Sequence, residues 1–417
     1  VNNSDSNTMT GSYIQNLLGA AVTLLAGSDY NMISFSTMTN NDSATYALDF
    51  DGSGYNTVTG SFLSNPSGTA VRIINTAYNT ISLSTMTTAN PGNNALYLFN
   101  SDTNTVSGSY LANPGGTPLW LNVGSDYNVI SQSTMATNAG GSRAFTTLNS
   151  DFNLVTRSMM SNPSGISAYL DTGSDYNVID QSTMTSNSSL LASLYVTASS
   201  SNTIQSSYIQ GSTAAFISGS TGTVINASVL VATNTSGSAL ALAGGSVNLT
   251  MSSNTLYSGA QGKGIYLDIG NSGTINLSTN TVHKGQYGIY AATQQVGTAL
   301  WISSNTIYPV PVATSDIFGL YFNGLTSGAT IQNNAVYYRI PGNMGVNKTA
   351  ALGAFSSAGL LVTGNRFSNP GMVLGGSIGT AYLEGTSNTI FKFNDFHSTG
   401  TSLANGFHIY LQSSPNT

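Results

Sequence analysis

The sequence predicts an all-β solenoid, a single-stranded parallel β-helix of about 16 coils, and three observations predict it. First, a phrase of the form apolar-x-x-Ser/Asn-x-apolar recurs along the chain. Its polar residue falls at Ser12, Ser36, Ser61, Ser84, Ser109, Ser133, Ser158, Ser182, Ser207, Ser228, Asn254, Asn280, Asn305, Asn334, Asn365 and Asn394. Successive ladder residues stand 21 to 31 apart, and a period of about 20–50 residues means stacked units that bury their apolar sides only against one another. Second, short runs alternate apolar and polar residues between Gly, Asn, Pro and Ser, which reads as strand. Third, charged residues make up only 6% of the chain, against roughly 25% in ordinary soluble proteins. Ser, Thr, Asn and Gly must therefore wet the surface, while 40% hydrophobic residues, placed periodically, argue against disorder.

Within each unit the first run carries the ladder residue, as in Ile33-Ser34-Phe35-Ser36-Thr37-Met38. The second opens on a small residue and then alternates, as in Ala95-Leu96-Tyr97-Leu98 and Gly264-Ile265-Tyr266-Leu267. A coil of about 24 residues with two or three such strands, stacked at ~4.8 Å per layer, is a β-helix. Ladder residues inside successive turns can hydrogen-bond the backbone and each other, which makes the ladder structural rather than a serine array for catalysis.

Two zones are expected. Residues 1–232 repeat as double coils of 48–49 residues with a Ser ladder, as in Gly60–Gly68 and Gly108–Gly116. Residues 233–417 continue the helix with longer, individual coils and an Asn ladder. The first zone holds three basic and eleven acidic residues, the second six and four. Neither end reads as a domain boundary, and both match the middle of a coil, so the chain is expected to be a segment of a longer solenoid.

Ser252-Ser253-Asn254-Thr255-Leu256, Ser303-Ser304-Asn305-Thr306-Ile307 and Thr363-Gly364-Asn365-Arg366-Phe367 look like the repeated phrase of the right-handed parallel β-helix family with pectate-lyase-like repeats. The resemblance implies a right-handed coil over nearly the whole chain. It implies little about activity, because that family spans lyases, hydrolases, epimerases, adhesins and structural proteins.

Other classes are excluded or disfavoured by composition. No cysteine is present, so neither disulfides nor thiolate metal sites contribute. No run of about eighteen apolar residues exists to span a bilayer, and no basic block suggests nucleic acid. No cofactor is expected. The one metal the pattern admits is Ca²⁺ along an acidic stripe of Asp102, Asp126, Asp151 and Asp175, preceded by Asp29, each two residues before a turn asparagine. The alternative is turn chemistry, with each Asp bonded to its own backbone.

Aromatic residues recur at two places. Tyr30, Tyr55, Tyr78, Tyr127, Phe152 and Tyr176 share one turn position. Tyr97, Trp120, Tyr169, Tyr195, Tyr266, Tyr290 and Tyr321 share the outward position of the second run. Such columns can stack on sugar rings, pack against a neighbouring solenoid, or stack on each other. The catalytic candidates are His283, Lys284, Tyr308, Tyr337 and Arg339, which three coils could bring to one face. A His or Lys base with an Arg beside an anionic intermediate would suit a polysaccharide lyase, but no matching carboxylate accompanies them. Asp49 and Asp51 form an i,i+2 pair, and Asn41 and Asn187 are the sequons in suitable loops for a glycan. The reading favoured is a non-enzymatic extracellular structural or adhesive β-helix of a surface fibre, filament or sheath, self-associating end to end or laterally. The alternative is a polysaccharide-binding or polysaccharide-degrading β-helix.

Overall fold

The computed structural model describes residues 1–292, 299–310, 316–338, 348–369, 377–398 and 406–412. Every turn is built from three short strands, each paired parallel with its equivalent in the adjacent turn, and no helix occurs among the described residues. The described residues make sixteen such turns, and the chain divides into two compact units, Val1–Tyr208 and Ile209–Thr417. The all-β solenoid expected from the repeat is the fold observed.

In the first unit like stacks on like. On the first sheet Val58, Ile81, Val106, Ile130, Val155 and Ile179 form an inward column, flanked by half-exposed residues such as Thr57 and Thr59. On the second sheet Met38, Leu63, Met86, Leu111, Met135, Met160 and Met184 do the same, all fully buried. The third contributes two inward columns, exemplified by Leu96 and Leu98. The three sheets thus close around one continuous interior. β-branched Thr, Val and Ile suit the pleated first sheet, and unbranched Met fills the second.

The ladder run is not one strand. Ile33 and Met38 both point inward although they are five apart, a parity that an uninterrupted strand of period two forbids. The chain breaks instead into Met32–Ser34 and Thr37–Asn40. The corner residue between them lies in the left-handed region, as Phe35, Gly60, Leu83, Gly108, Gln132, Arg157 and Gln181 do, with φ between 47° and 57°. Non-glycine residues there carry strain of about 1 kcal/mol or more, which the following ladder residue offsets. Its hydroxyl oxygen accepts the backbone N–H of the ladder serine one turn back, as from Ser109 N to Ser133 Oγ (3.1 Å). That hydroxyl then donates to a carbonyl two residues upstream, Ser133 to Ser131 (2.8 Å).

A second ladder lies at the corner between the third and first sheets. Asn31, Asn56, Asn79, Asn104, Asn128, Asn153, Asn177 and Asn202, which read as turn residues in the sequence, are buried. Each Oδ1 accepts the backbone N–H of the asparagine one turn back, at 2.8–2.9 Å.

In the second unit the first-corner ladder is asparagine from Asn254 onward. Asn280 Oδ1 accepts from Asn254 N at 3.0 Å and from Asn254 Nδ2 at 2.9 Å. Its own Nδ2 donates to Met251 O at 3.0 Å and to Asn305 Oδ1 at 3.1 Å. The small residue that opens the second run has a packing cause: a Cβ on Gly264 would collide with the Val282 side chain and the Gly288 carbonyl.

Candidate functional site

The second sheet of the second unit ends each strand on a ring. Thr255–Tyr257, Thr281–His283, Thr306–Tyr308 and Ala335–Tyr337 lie in parallel register. Their terminal rings stack, Tyr257 on His283 at 4.8 Å, His283 on Tyr308 at 5.2 Å and Tyr308 on Tyr337 at 5.7 Å between centroids. Lys284 follows in the left-handed region (φ 65°), tied by its N–H to Tyr308 O at 3.0 Å. Tyr257, His283, Lys284, Tyr308 and Val310 line a concavity of about 440 Å³. Partial burial, and then the Lys284 ammonium, push the His283 imidazole below its ordinary pKa, so it is neutral at pH 7.

The structure therefore brings four of the five catalytic candidates, His283, Lys284, Tyr308 and Tyr337, onto one face; Arg339 lies outside the described residues. No carboxylate lines the concavity. The described acids of this unit are engaged elsewhere: Asp268 accepts from Tyr266 OH (2.8 Å), Glu384 pairs with Lys348 (3.0 Å), Asp395 with Arg366 (3.6 Å), and Asp316 accepts the Lys348 N–H (2.9 Å). Both ring faces of His283 are stacked on tyrosines, and no described carboxylate lies beside it in the concavity.

On the outward face of the third sheet, Tyr97 pairs in register with Trp120 and Tyr169 with Tyr195, edge to face at 5.7 and 5.9 Å. Thr146 stands between the two pairs, and the Arg143 guanidinium lies over Tyr169 at 4.5 Å. In the second unit Tyr266, Tyr290 and Tyr321 are consecutive, at 5.4 and 4.7 Å. Sequence reasoning stopped at Tyr321 because Gly353 occupies the next register position. Two residues further along that strand, Phe355 bridges the gap, 5.2 Å from Tyr321 and 5.4 Å from Tyr382, which stacks on Tyr410 at 4.7 Å. Lys263 and Lys348 place ammoniums over this column, Lys263 3.7 Å from the Tyr266 centroid and Lys348 4.7 Å from that of Tyr382. Burial, with Tyr290 and Asp316 nearby, pushes the Tyr321 phenol up to about 12. Burial also lowers Lys263, against the pull of Asp268. These rings are half-buried and braced by cations.

The carboxylates of the acidic stripe bond from turn to turn. Asp102 Oδ1 accepts the backbone N–H of Asp126 (2.9 Å), Asp126 that of Asp151 (2.7 Å), Asp151 that of Asp175 (2.7 Å) and Asp175 that of Ser200 (2.5 Å). Each carboxylate caps the next turn instead of its own backbone. Burial, and then the flanking Asp151 and Asp102 carboxylates, raise the Asp126 pKa. The aromatic turn position beside the stripe stacks as two triplets, Tyr30–Tyr55–Tyr78 at 5.0 and 4.8 Å and Tyr127–Phe152–Tyr176 at 4.9 Å each.

Asp49 and Asp51 both face one guanidinium. Arg72 grips the buried Asp49 bidentately at 2.8 and 2.9 Å, reaches Asp51 at 3.4 Å, and lies over Tyr46 at 4.4 Å. Asn41 and Asn187 are both exposed, and the Asn41 side chain accepts from Ser67 Oγ at 2.8 Å.

Residues 146–307 match the family described as right handed beta helix region, and the resemblance expected from the sequence holds. No curated protein sequence matches the chain. Among solved structures, a cysteine-to-alanine mutant of DFA-IIIase from Arthrobacter chlorophenolicus A6, in complex with DFA-III, is similar with a TM-score of 0.43 at 9% identity, over 76% of this chain and 89% of that one. The Dettilon tailspike protein is similar at 0.35 and 10%, over 93% and 62%. PfbA, a surface adhesin of Streptococcus pneumoniae, is similar at 0.25 and 9%, over 88% and 86%.

Proposed function

We propose that the chain is a non-enzymatic extracellular β-helix, a structural and adhesive segment of a surface fibre, filament or sheath. The observation that carries this reading is where its reactive side chains go. Aspartates cap the next turn, Asp49 and Asp51 hold Arg72, and His283 is stacked between Tyr257 and Tyr308. Stacked aromatic columns remain as the contact surface, for glycans or for the flank of a second fibre. Ring-on-ring stacking stiffens the coil by roughly 0.5–1.5 kcal/mol per pair and leaves ring edges, hydroxyls and column ends for contact. A composition with 6% charged residues suits an uncharged, hydroxyl-rich surface of this kind.

The test is incubation with a panel of neutral and acidic polysaccharides, scored for reducing or unsaturated ends, alongside electron microscopy of the concentrated protein. Fibres or glycan retention without product support the reading; catalytic release of product ends it.

A second reading, a β-helix that binds or degrades polysaccharide at the His283 face, is favoured by the concavity of about 440 Å³ and the Lys284 ammonium at its edge. It requires that H283A and K284A abolish release of product, or weaken retention on an acidic polysaccharide, without lowering thermal stability.

A further inference from the structure

The aromatic corner of the first unit is interrupted at one turn. Tyr78 N donates to Asp102 O, Thr103 N to Asp126 O and Tyr127 N to Asp151 O, so Thr103 occupies, bond for bond, the position that tyrosine holds in the turns on either side. Below it Tyr78 stacks on Tyr55 at 4.8 Å, and above it Tyr127 stacks on Phe152 at 4.9 Å. Tyr78 and Tyr127 are about half exposed, and since each stacks near-parallel on its other neighbour, at 10° and 2°, its second ring face is left toward the turn of Thr103. We propose that this one-turn gap, with Thr103 as floor and Tyr78 and Tyr127 as walls, is a slot that clamps a single uncharged or cationic pyranose ring of a glycan chain. The proposal rests on the glycan-contacting part of the function proposed above and places it at one site.

Width selects the occupant. Two turns at ~4.8 Å put the facing rings roughly 9–10 Å apart. A flat aromatic guest touching both walls at about 3.5 Å needs only ~7 Å and would rattle. A pyranose, whose axial hydrogens thicken both faces, rides roughly 4.5–5 Å from an aromatic plane and fills the span. An inserted sugar would also continue the stacking rhythm of the column above and below it.

Charge selects further. The carboxylates of Asp102 and Asp126 stand beside the slot, each with one oxygen engaged by the next turn's N–H at 2.9 and 2.7 Å. The other oxygen can accept a sugar hydroxyl or ammonium, while uronates and sulfated sugars would meet like charge. Backbone geometry gives no reason for a threonine here. At φ 56° Thr103 shares the left-handed corner conformation of Tyr78 (63°) and Tyr127 (55°), so the backbone there would accept a ring equally well.

The test is calorimetric titration of the whole chain with cellohexaose, mannohexaose and chitosan hexamer, and with hexagalacturonate as the charge control. The wild type is expected to bind at least one of the first three in preference to hexagalacturonate. T103Y, which completes the column, should weaken that binding about tenfold or more without lowering the unfolding temperature, whereas T103A should keep it. Failure of all three hexamers to bind, or binding unchanged in T103Y, overturns the slot. Binding that survives T103Y but is lost in Y97A moves the contact to the third sheet, which sinks the slot and spares the adhesive reading. Catalytic cleavage of a hexamer sinks the adhesive reading whether or not the slot binds.

Discussion

The two units solve the same corner with different side chains. In the first, each serine accepts one N–H from the neighbouring turn and returns its proton to its own turn, so the bond ties turns in pairs. In the second, Asn280, Asn305, Asn334 and Asn365 each accept two hydrogen bonds, donate to the next amide and donate to a carbonyl of the previous turn, so one side chain spans three turns. The first unit compensates with a second ladder, the buried asparagines from Asn31 to Asn202, and with aspartates that cap turn to turn. Regular turns of nearly constant length can thus rely on small, repeated bonds at two corners. The second unit carries longer, individual turns on a stronger asparagine ladder at the first corner, with Ser246 and Asn271 bonding turn to turn at the other corner, and it is there that the His283 concavity is found. In a stacked array stability is set by neighbour interfaces, so the ladder residue sets how much irregularity a turn can tolerate.

The largest expected effect tests that difference. Truncating Asn305→Ala leaves the Asn280 N–H without its acceptor and removes one bond each from Asn280 Nδ2, Leu277 O and Asn334 Oδ1. An orphaned buried donor costs about 1–3 kcal/mol and each further lost bond about 1 kcal/mol, not fully additively, so a loss of about 3–5 kcal/mol is expected. Next comes the serine counterpart, Ser133→Ala, which orphans the Ser109 N–H and leaves Ser131 O with the Gly108 N–H and should lose about 1–2 kcal/mol. Hydrogen exchange at the Asn280 and Ser109 amides, with denaturant unfolding of each variant, measures both. Equal losses would break the comparison.

Much of this architecture was legible in the sequence, because a parallel solenoid puts equivalent residues at equal spacing and the spacing can be counted. The corner was harder to see. Ser34-Phe35-Ser36-Thr37 keeps strand-like composition through a left-handed turn, and only the odd separation of Ile33 and Met38 betrays it. The second ladder was hidden because Asn in a Ser-Asp-Tyr-Asn stretch has the composition of an exposed turn, and its burial depends on which way the corner folds. Among candidate site residues, the stacking of Tyr257, His283, Tyr308 and Tyr337 followed from their fixed offset to the ladder. Phe355 did not, since it reaches the column from two positions out of register. Which carboxylates were taken, and by what, depended on the corners and lay beyond a one-dimensional reading.

The smallest effects are in pH response, where the two units should move in opposite senses. Asp126 has its folded pKa raised, so the folded protein binds more protons than the unfolded chain between the ordinary carboxylate value and the raised one. Its contribution to stability is full below the ordinary value and is lost as pH rises through the folded pKa. Mild acidification therefore favours the first unit at this position, and D126N, which holds the neutral form, should flatten the response. His283 has its folded pKa lowered, so its contribution is present above the ordinary imidazole value and is lost as pH falls through the folded pKa. Acidification from pH 7 toward 5 should thus loosen the turns around His283, and H283F, which keeps the stack but cannot titrate, should abolish that loss. Both sites are largely exposed to solvent screening, so the readout must be local: exchange rates of the Asp151 and Thr281 amides across pH 4–7, corrected for intrinsic exchange. If the two amides respond to acid with the same sign, the contrast drawn from burial and neighbouring charge fails. If they diverge in the wild type and converge in the paired variants, the aspartate caps and the histidine stack are each assigned their share.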